Sequence, residues 1–171
     1  MELSILYAIP RFELLDSFFL ILTKIAGSYG QLCLVTGILL TVFRKTRRTG
    51  IAVLIAYVGV LVFGQLILKN LIDRPRPCHI DQAFALLVNR PTSSSFPSTH
   101  SAWAFGAATA IFLRYRKAGT AAFVVAACIA FSRMYLFLHF PTDVLCGAAL
   151  GAVLGIAATK IIDHYPPAGT V

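Results

Sequence analysis

Acidic residues are scarce in this chain: seven Asp and Glu stand against 15 Lys and Arg over 171 residues, and charged residues of both signs make up only 13%. So little charge excludes an ordinary soluble domain, in which about 25% of residues are charged. With 58% hydrophobic residues and a mean hydropathy of +0.79, the composition is that of a multi-pass membrane protein. Paired cysteine motifs are also missing: Cys33, Cys78, Cys128 and Cys146 show no CxxC spacing and no metal-ligand pattern. Three of them lie in apolar runs and are expected to pack there; Cys78, in a loop, is paired only if that loop faces an oxidising compartment. There is no basic n-region and no small-residue cleavage site, so the first apolar run is expected to stay as a helix. No internal repeat of the kind found in transporters is present.

What is present is a series of apolar runs, over about 12–27, 30–43, 51–72, 100–113, 119–138 and 142–162. At roughly 20 residues per crossing of a hydrocarbon core about 30 Å thick, they predict an all-α, six-transmembrane-helix bundle forming a single domain over 1–171. The net charge of +8 sits at the ends of these runs, not among surface aromatics. It therefore speaks for membrane topology and anionic head groups and against nucleic acid. Two short loops, "RKTRRT" (44–49) and "RYRK" (114–117), are strongly basic, and the positive-inside rule makes both cytoplasmic. An even number of spans then puts both termini inside. Lys69 to Pro77, His100, and Arg133 to His139 all arrive at the outer interface. The outer connection from 78 to 97 is the only long one; its "AFALLV" (83–88) is either a short helix lying on the membrane or a segment packed on the bundle. Gly147, Gly151 and Gly155, four residues apart, allow close helix approach, either within the chain or at a homodimer seam.

Three polar clusters meet on that outer face. In "KNLIDRPRP" (69–77), Lys69, Arg74 and Arg76 sit where a helix ends, on the side where basic residues are disfavoured unless something anionic compensates them. In "SSSFPSTH" (93–100), Ser98 or Thr99 caps a helix whose N-terminal N–H groups suit an oxyanion, with His100 in the first turn. In "SRMYLFLHFPTD" (132–143), Arg133 offers a bidentate fork for phosphate, His139 is a nucleophile or a general base, and Asp143 can fix its tautomer. Three cations (Lys69, Arg76, Arg133), two imidazoles, one orienting carboxylate and the Ser98 hydroxyl suit a phosphate ester better than a metal centre, which would want several carboxylates.

These segments resemble the motifs of the type 2 phosphatidic acid phosphatase family, membrane lipid phosphatases that share a fold with vanadium haloperoxidases and glucose-6-phosphatase. Lys69 with Arg76-Pro77, "PSTH" at 97–100, and Ser132-Arg133 with His139 and Asp143 stand in the family's order and spacing. Thr99 departs from the pattern, occupying the place of a glycine. The resemblance implies His139 as nucleophile forming a phosphohistidine, Asp143 holding it, and His100 protonating the leaving oxygen and then activating water. Lys69, Arg76, Ser98, Arg133 and the Thr99 amide would hold the phosphate, and no metal or other cofactor would be needed. The substrate class implied is a lipid phosphate or diphosphate. Undecaprenyl diphosphate is preferred over phosphatidylglycerol phosphate, phosphatidic acid or lipid A. The setting implied is a bacterial-type inner membrane, with the site facing the periplasm. A phosphotransferase using the same intermediate and a non-catalytic lipid-binding or transport protein are the alternatives.

Overall fold

The computed structural model describes residues 2–165, and every regular element among them is helical. The elements are α1 (Glu2–Tyr7), α2 (Glu13–Ala26), α3 (Gln31–Val42), α4 (Arg47–Gly59), a π-helical stretch (Val60–Leu68), α5 (Lys69–Ile72), α6 (Pro77–Ile80), α7 (Thr99–Arg114), α8 (Arg116–Tyr135) and α9 (Pro141–His164). The long helices fall on the apolar runs. Three of them are long and apolar enough to cross a membrane, or four if the bent pair α2–α3 crosses once. Large apolar side chains such as Leu39, Leu66, Val124 and Val153 lie exposed on the bundle's outside, as a lipid-facing surface requires.

The bundle has two chemically distinct ends. At one, Tyr115 Oη donates to the Lys45 carbonyl at 2.7 Å, Arg114 pairs with Asp163, and Arg48 lies 3.7 Å from Asp163. Both basic loops therefore meet there, as their charge predicts. At the other end lie the three polar clusters.

The N-terminal part departs from expectation. Residues of α1 dock on the end that carries the polar clusters: Glu2 accepts from Thr142 N and Oγ1, and Tyr7 Oη donates to Asp81 at 2.6 Å. Asp16, in the first turn of α2, accepts from Tyr135 Oη at 2.6 Å, whereas α3 ends beside the basic loop, where Thr46 Oγ1 donates to Leu40 O. Helices α2 and α3 thus run one after the other from the polar end to the basic end. They are broken by "GSYG", where Gly27 and Gly30 take positive φ of 71° and 68°, a region glycine enters freely. The pair bends by 52°. At 14 residues, α2 is only about 21 Å long, and it is long and apolar enough for a crossing only together with α3. The described residues thus supply three helices long and apolar enough to cross, or four with the bent pair, where six were expected; α1 sits at the opposite end from the C-terminal end of α9.

Packing between α7 and α9 brings the second and third clusters together. A Cβ on Gly147 would stand 2.3 Å from Ser98 O, one on Gly151 2.1 Å from Ala102 O, and one on Gly155 2.6 Å from Gly106 O. The glycine face is therefore filled within the chain, not left as a seam for a second copy. The segment 83–88 is not helical. Phe84 stacks on Phe137 with centroids 3.9 Å apart, so this segment packs on the bundle. All four cysteines are free, and Cys78 is fully buried.

Candidate active site

Each cluster is delivered by a local feature of the backbone. After the π-helical stretch, α5 carries Lys69, and Pro75 and Pro77 close the helix so that Arg76 turns inward. Long π-helical segments are rare and concentrate at functional sites. Ser98 is the N-cap of α7, 2.9 Å from Ser101 Oγ, which sets His100 in the first turn. Pro141 opens α9, and Asp143 in its first turn accepts from the Phe140 N–H at 2.8 Å, the pattern that starts helices efficiently.

A cavity of about 460 Å³ opens between these elements, lined by Lys69, Arg76, Thr99, His100, Arg133 and His139, with Thr23, Gly27, Gln65, Arg90 and Ser93 among the rest of its wall. Six of the eight expected site residues therefore line one cavity. The other two stand behind it: Ser98 and Asp143 are fully buried, and the Ser98 N–H donates to the Asp143 carbonyl at 3.0 Å. Thr99 fits where a smaller residue was expected because its methyl packs on Gly64; a Cβ there would meet it at 3.3 Å.

The hydrogen bonds settle the imidazole tautomers. His139 Nε2 lies 3.1 Å from Arg76 Nη1. Arginine can only donate, so Nε2 carries the lone pair and Nδ1 the proton. Burial, with the positive charges of Arg76 and Lys69, holds His139 down to about 3 against the opposing pull of Asp143, so the ring is neutral at pH 7. His100 Nε2 is 2.9 Å from the Gly27 carbonyl, an acceptor, so that nitrogen carries the proton and Nδ1 is left for proton exchange. Arg76 is fixed on five sides. Besides His139 it donates to Ser93 O at 2.7 Å, Leu138 O at 3.0 Å, Ser93 Oγ at 3.0 Å and Ser94 O at 3.2 Å. Arg133 donates to Ser132 Oγ at 3.1 Å and to Thr23 Oγ1. Four cations, Lys69, Arg76, Arg90 and Arg133, and two imidazoles line one cavity, an arrangement suited to a multiply charged oxyanion, with one imidazole lone pair on its wall.

One expected contact is looser than anticipated. His139 Nδ1 is 3.8 Å from Asp143 Oδ2, longer than a hydrogen bond, and Nδ1 has no other partner among the described residues. Asp143 instead accepts from Ser95 Oγ at 2.5 Å and from Arg74 Nη1 at 2.6 Å. Arg74 is therefore paired with Asp143 and Glu2. Sequence reasoning singled out neither Ser95 nor Glu2, Thr23 and the Gly27 carbonyl. Ser95 is one of three adjacent serines, and the others lie in a part of the chain whose docking no local pattern announces. Among the described residues no three His, Cys, Asp or Glu gather as a metal-ligand group.

A family model for the PAP2 superfamily matches residues 50–165, which include all three clusters. The chain belongs to the PAP2 superfamily. It is 30% identical over 129 residues to an undecaprenyl-diphosphatase of Sulfolobus acidocaldarius, covering 75% of this chain and 62% of that protein. It is 38% identical over 97 residues to a decaprenylphosphoryl-5-phosphoribose phosphatase of Mycobacterium tuberculosis, covering 56% and 52%. The chain thus spans between half and two thirds of the length of these curated relatives. Among solved structures, the first transmembrane PAP2 type phosphatidylglycerolphosphate phosphatase from Bacillus subtilis superposes with a TM-score of 0.74 at 27% identity, over 98% of this chain and 87% of that one. This PAP2 chain is accordingly an integral membrane protein with the helical fold of that group.

Proposed function

We propose that this PAP2 protein is a lipid phosphatase that cleaves a phosphate ester or anhydride through a phosphohistidine on His139. The observation that carries the reading is the neutral His139, with its Nε2 lone pair on the wall of a cavity that also holds Lys69, Arg76 and Arg133. In the proposed reaction, a phosphoryl group held by these cations draws the Arg76 N–H away from Nε2 and receives the Nε2 lone pair. The Nε2–P bond forms as the P–O bond to the leaving group breaks, and His100, which takes up a proton at Nδ1 as the anionic substrate binds, gives that proton to the departing oxygen. Neutral His100 then takes a proton from water, whose oxygen attacks phosphorus and returns His139 to the neutral form. The guanidinium groups and Lys69 stabilise the equatorial oxygens through both steps.

Of the lipid phosphates, undecaprenyl diphosphate is our preferred substrate, in keeping with the Sulfolobus relative's name. The basic end would face the cytoplasm of a bacterial-type inner membrane and the cavity the outside, following the positive-inside rule. In this topology α2–α3 together, α4–α5, α7, α8 and α9 each cross once, so α1 lies on the same side as the cavity. Phosphate release by purified protein in detergent tests the function. Undecaprenyl diphosphate, phosphatidylglycerol phosphate, phosphatidic acid and lipid A would be compared, each with wild type and His139→Asn. Release from at least one lipid that disappears in the variant is expected; an inactive wild type, or an active variant, contradicts the proposal.

A further inference from the structure

Asp143 is fully buried, yet its nearest charged partner is not His139. Its Oδ1 accepts from Arg74 Nη1 at 2.6 Å, and its Oδ2 accepts from Ser95 Oγ and the Phe140 N–H. The other end of the same guanidinium, Nη2, donates to Glu2 Oε2. Glu2 Oε1 is itself held by Thr142 Oγ1 at 2.7 Å and Thr142 N at 3.2 Å. Arg74 also lies over the Phe140 ring, 4.1 Å from its centroid. The first helix of the chain is thereby tied to the carboxylate behind His139, through a residue that does not line the cavity.

We propose that Glu2 and Arg74 are positioning residues for the reaction at His139: Arg74 bridges the N-terminal helix to Asp143, and Glu2, by sharing the guanidinium, leaves Asp143 with negative charge to offer the imidazole. Two carboxylates on one guanidinium carry one net negative charge. When Nε2 bonds to phosphorus the ring becomes a phosphoimidazolium, whose Nδ1–H faces Asp143, and that is the moment at which the net charge stabilises it. Were Glu2 neutral, Arg74 would cancel Asp143 and the developing ring charge would lose its counter-charge. Because neither residue lines the cavity, the effect belongs to turnover and not to substrate binding.

The inference rests on His139 being the nucleophile. Its test uses the full chain in detergent with undecaprenyl diphosphate as probe, comparing wild type, Glu2→Gln, Glu2→Asp, Arg74→Lys and Tyr7→Phe. Glu2→Gln is expected to lower kcat about tenfold with KM unchanged, and Glu2→Asp to restore part of it. Arg74→Lys, which keeps the charge but loses the two-ended fork, serves as a second variant and is expected to lower kcat likewise. Tyr7→Phe removes only the bond from α1 to Asp81 and is expected to stay within about twofold of wild type. A Glu2→Gln enzyme with wild-type kcat, a change confined to KM, or an equal loss in Tyr7→Phe overturns the inference while leaving the phosphatase reading in place. A wild type that releases no phosphate overturns both.

Discussion

Substituting Gly151 by alanine probes how closely the site depends on the crossing of two helices. The added Cβ would stand 2.1 Å from Ala102 O, 2.8 Å from Ala102 C and 2.9 Å from Ala102 Cα. These are backbone atoms of α7, not the end of a side chain that could rotate away. Restoring ordinary contact requires the two helices to part by about 1 Å. Overpacking of this kind costs about 1–3 kcal/mol. The larger consequence is chemical, because α7 carries His100 and α9 carries Asp143, and a misplacement of about 1 Å can lower turnover about 100-fold. The matched control is Gly59→Ala, whose Cβ would meet Leu154 Cδ2 at 3.1 Å, the flexible end of a side chain. Phosphate release and thermal unfolding in one detergent would be measured for both variants. Gly151→Ala is expected to lose most of its activity and some stability, and Gly59→Ala little of either. A Gly151→Ala protein with wild-type turnover and an unchanged melting temperature would refute the claim that this crossing sets the catalytic geometry.

Two other outcomes are expected. Arg76→Lys should lower activity by about 100-fold or more and lower the melting temperature. A single ammonium cannot serve the carbonyls of Ser93, Ser94 and Leu138 together, and each buried acceptor left unpaired costs about 1–3 kcal/mol; activity and melting assays on the same preparation check it. His139 gives stability a pH dependence of definite sign. Its folded value, near 3, lies below the ordinary 6.5, so the unfolded chain binds the proton more readily. Its contribution is therefore fully present above about pH 6.5 and is lost as pH falls toward 3, by up to about 1.4 kcal/mol per unit. Melting curves from pH 7 to pH 4 should show this loss, and His139→Asn should show a smaller one.

The helices were legible because lipid-facing segments must be apolar and long, and the runs from 51 onward have no competing signal. The candidate site was legible because Arg133, His139 and Asp143 have no reason to stand in an apolar chain unless something anionic meets them. Residues 12–43 were not legible as a single traversal. Their two apolar runs look like two spans, and only Gly27 and Gly30, whose φ angles no pattern reveals, turn them into one bent pair. The looser His139–Asp143 approach and the pairing of Arg74 with Asp143 depend on how Glu2 folds back over residues 140–143. Spacing four residues apart in "HFPTD" cannot foretell that.

Trapping the intermediate tests the central claim most directly. The protein would be mixed with undecaprenyl diphosphate labelled on the terminal phosphorus, quenched in denaturant at alkaline pH, where phosphohistidine survives, and digested to locate the label. The account predicts label on the peptide containing His139, absent in His139→Asn and accumulating in a His100→Asn variant, which is still phosphorylated because the phosphate leaving group of a diphosphate departs as an anion, but hydrolyses slowly. Turnover of the wild type with no labelled protein in any variant, or label on a residue other than His139, would contradict it.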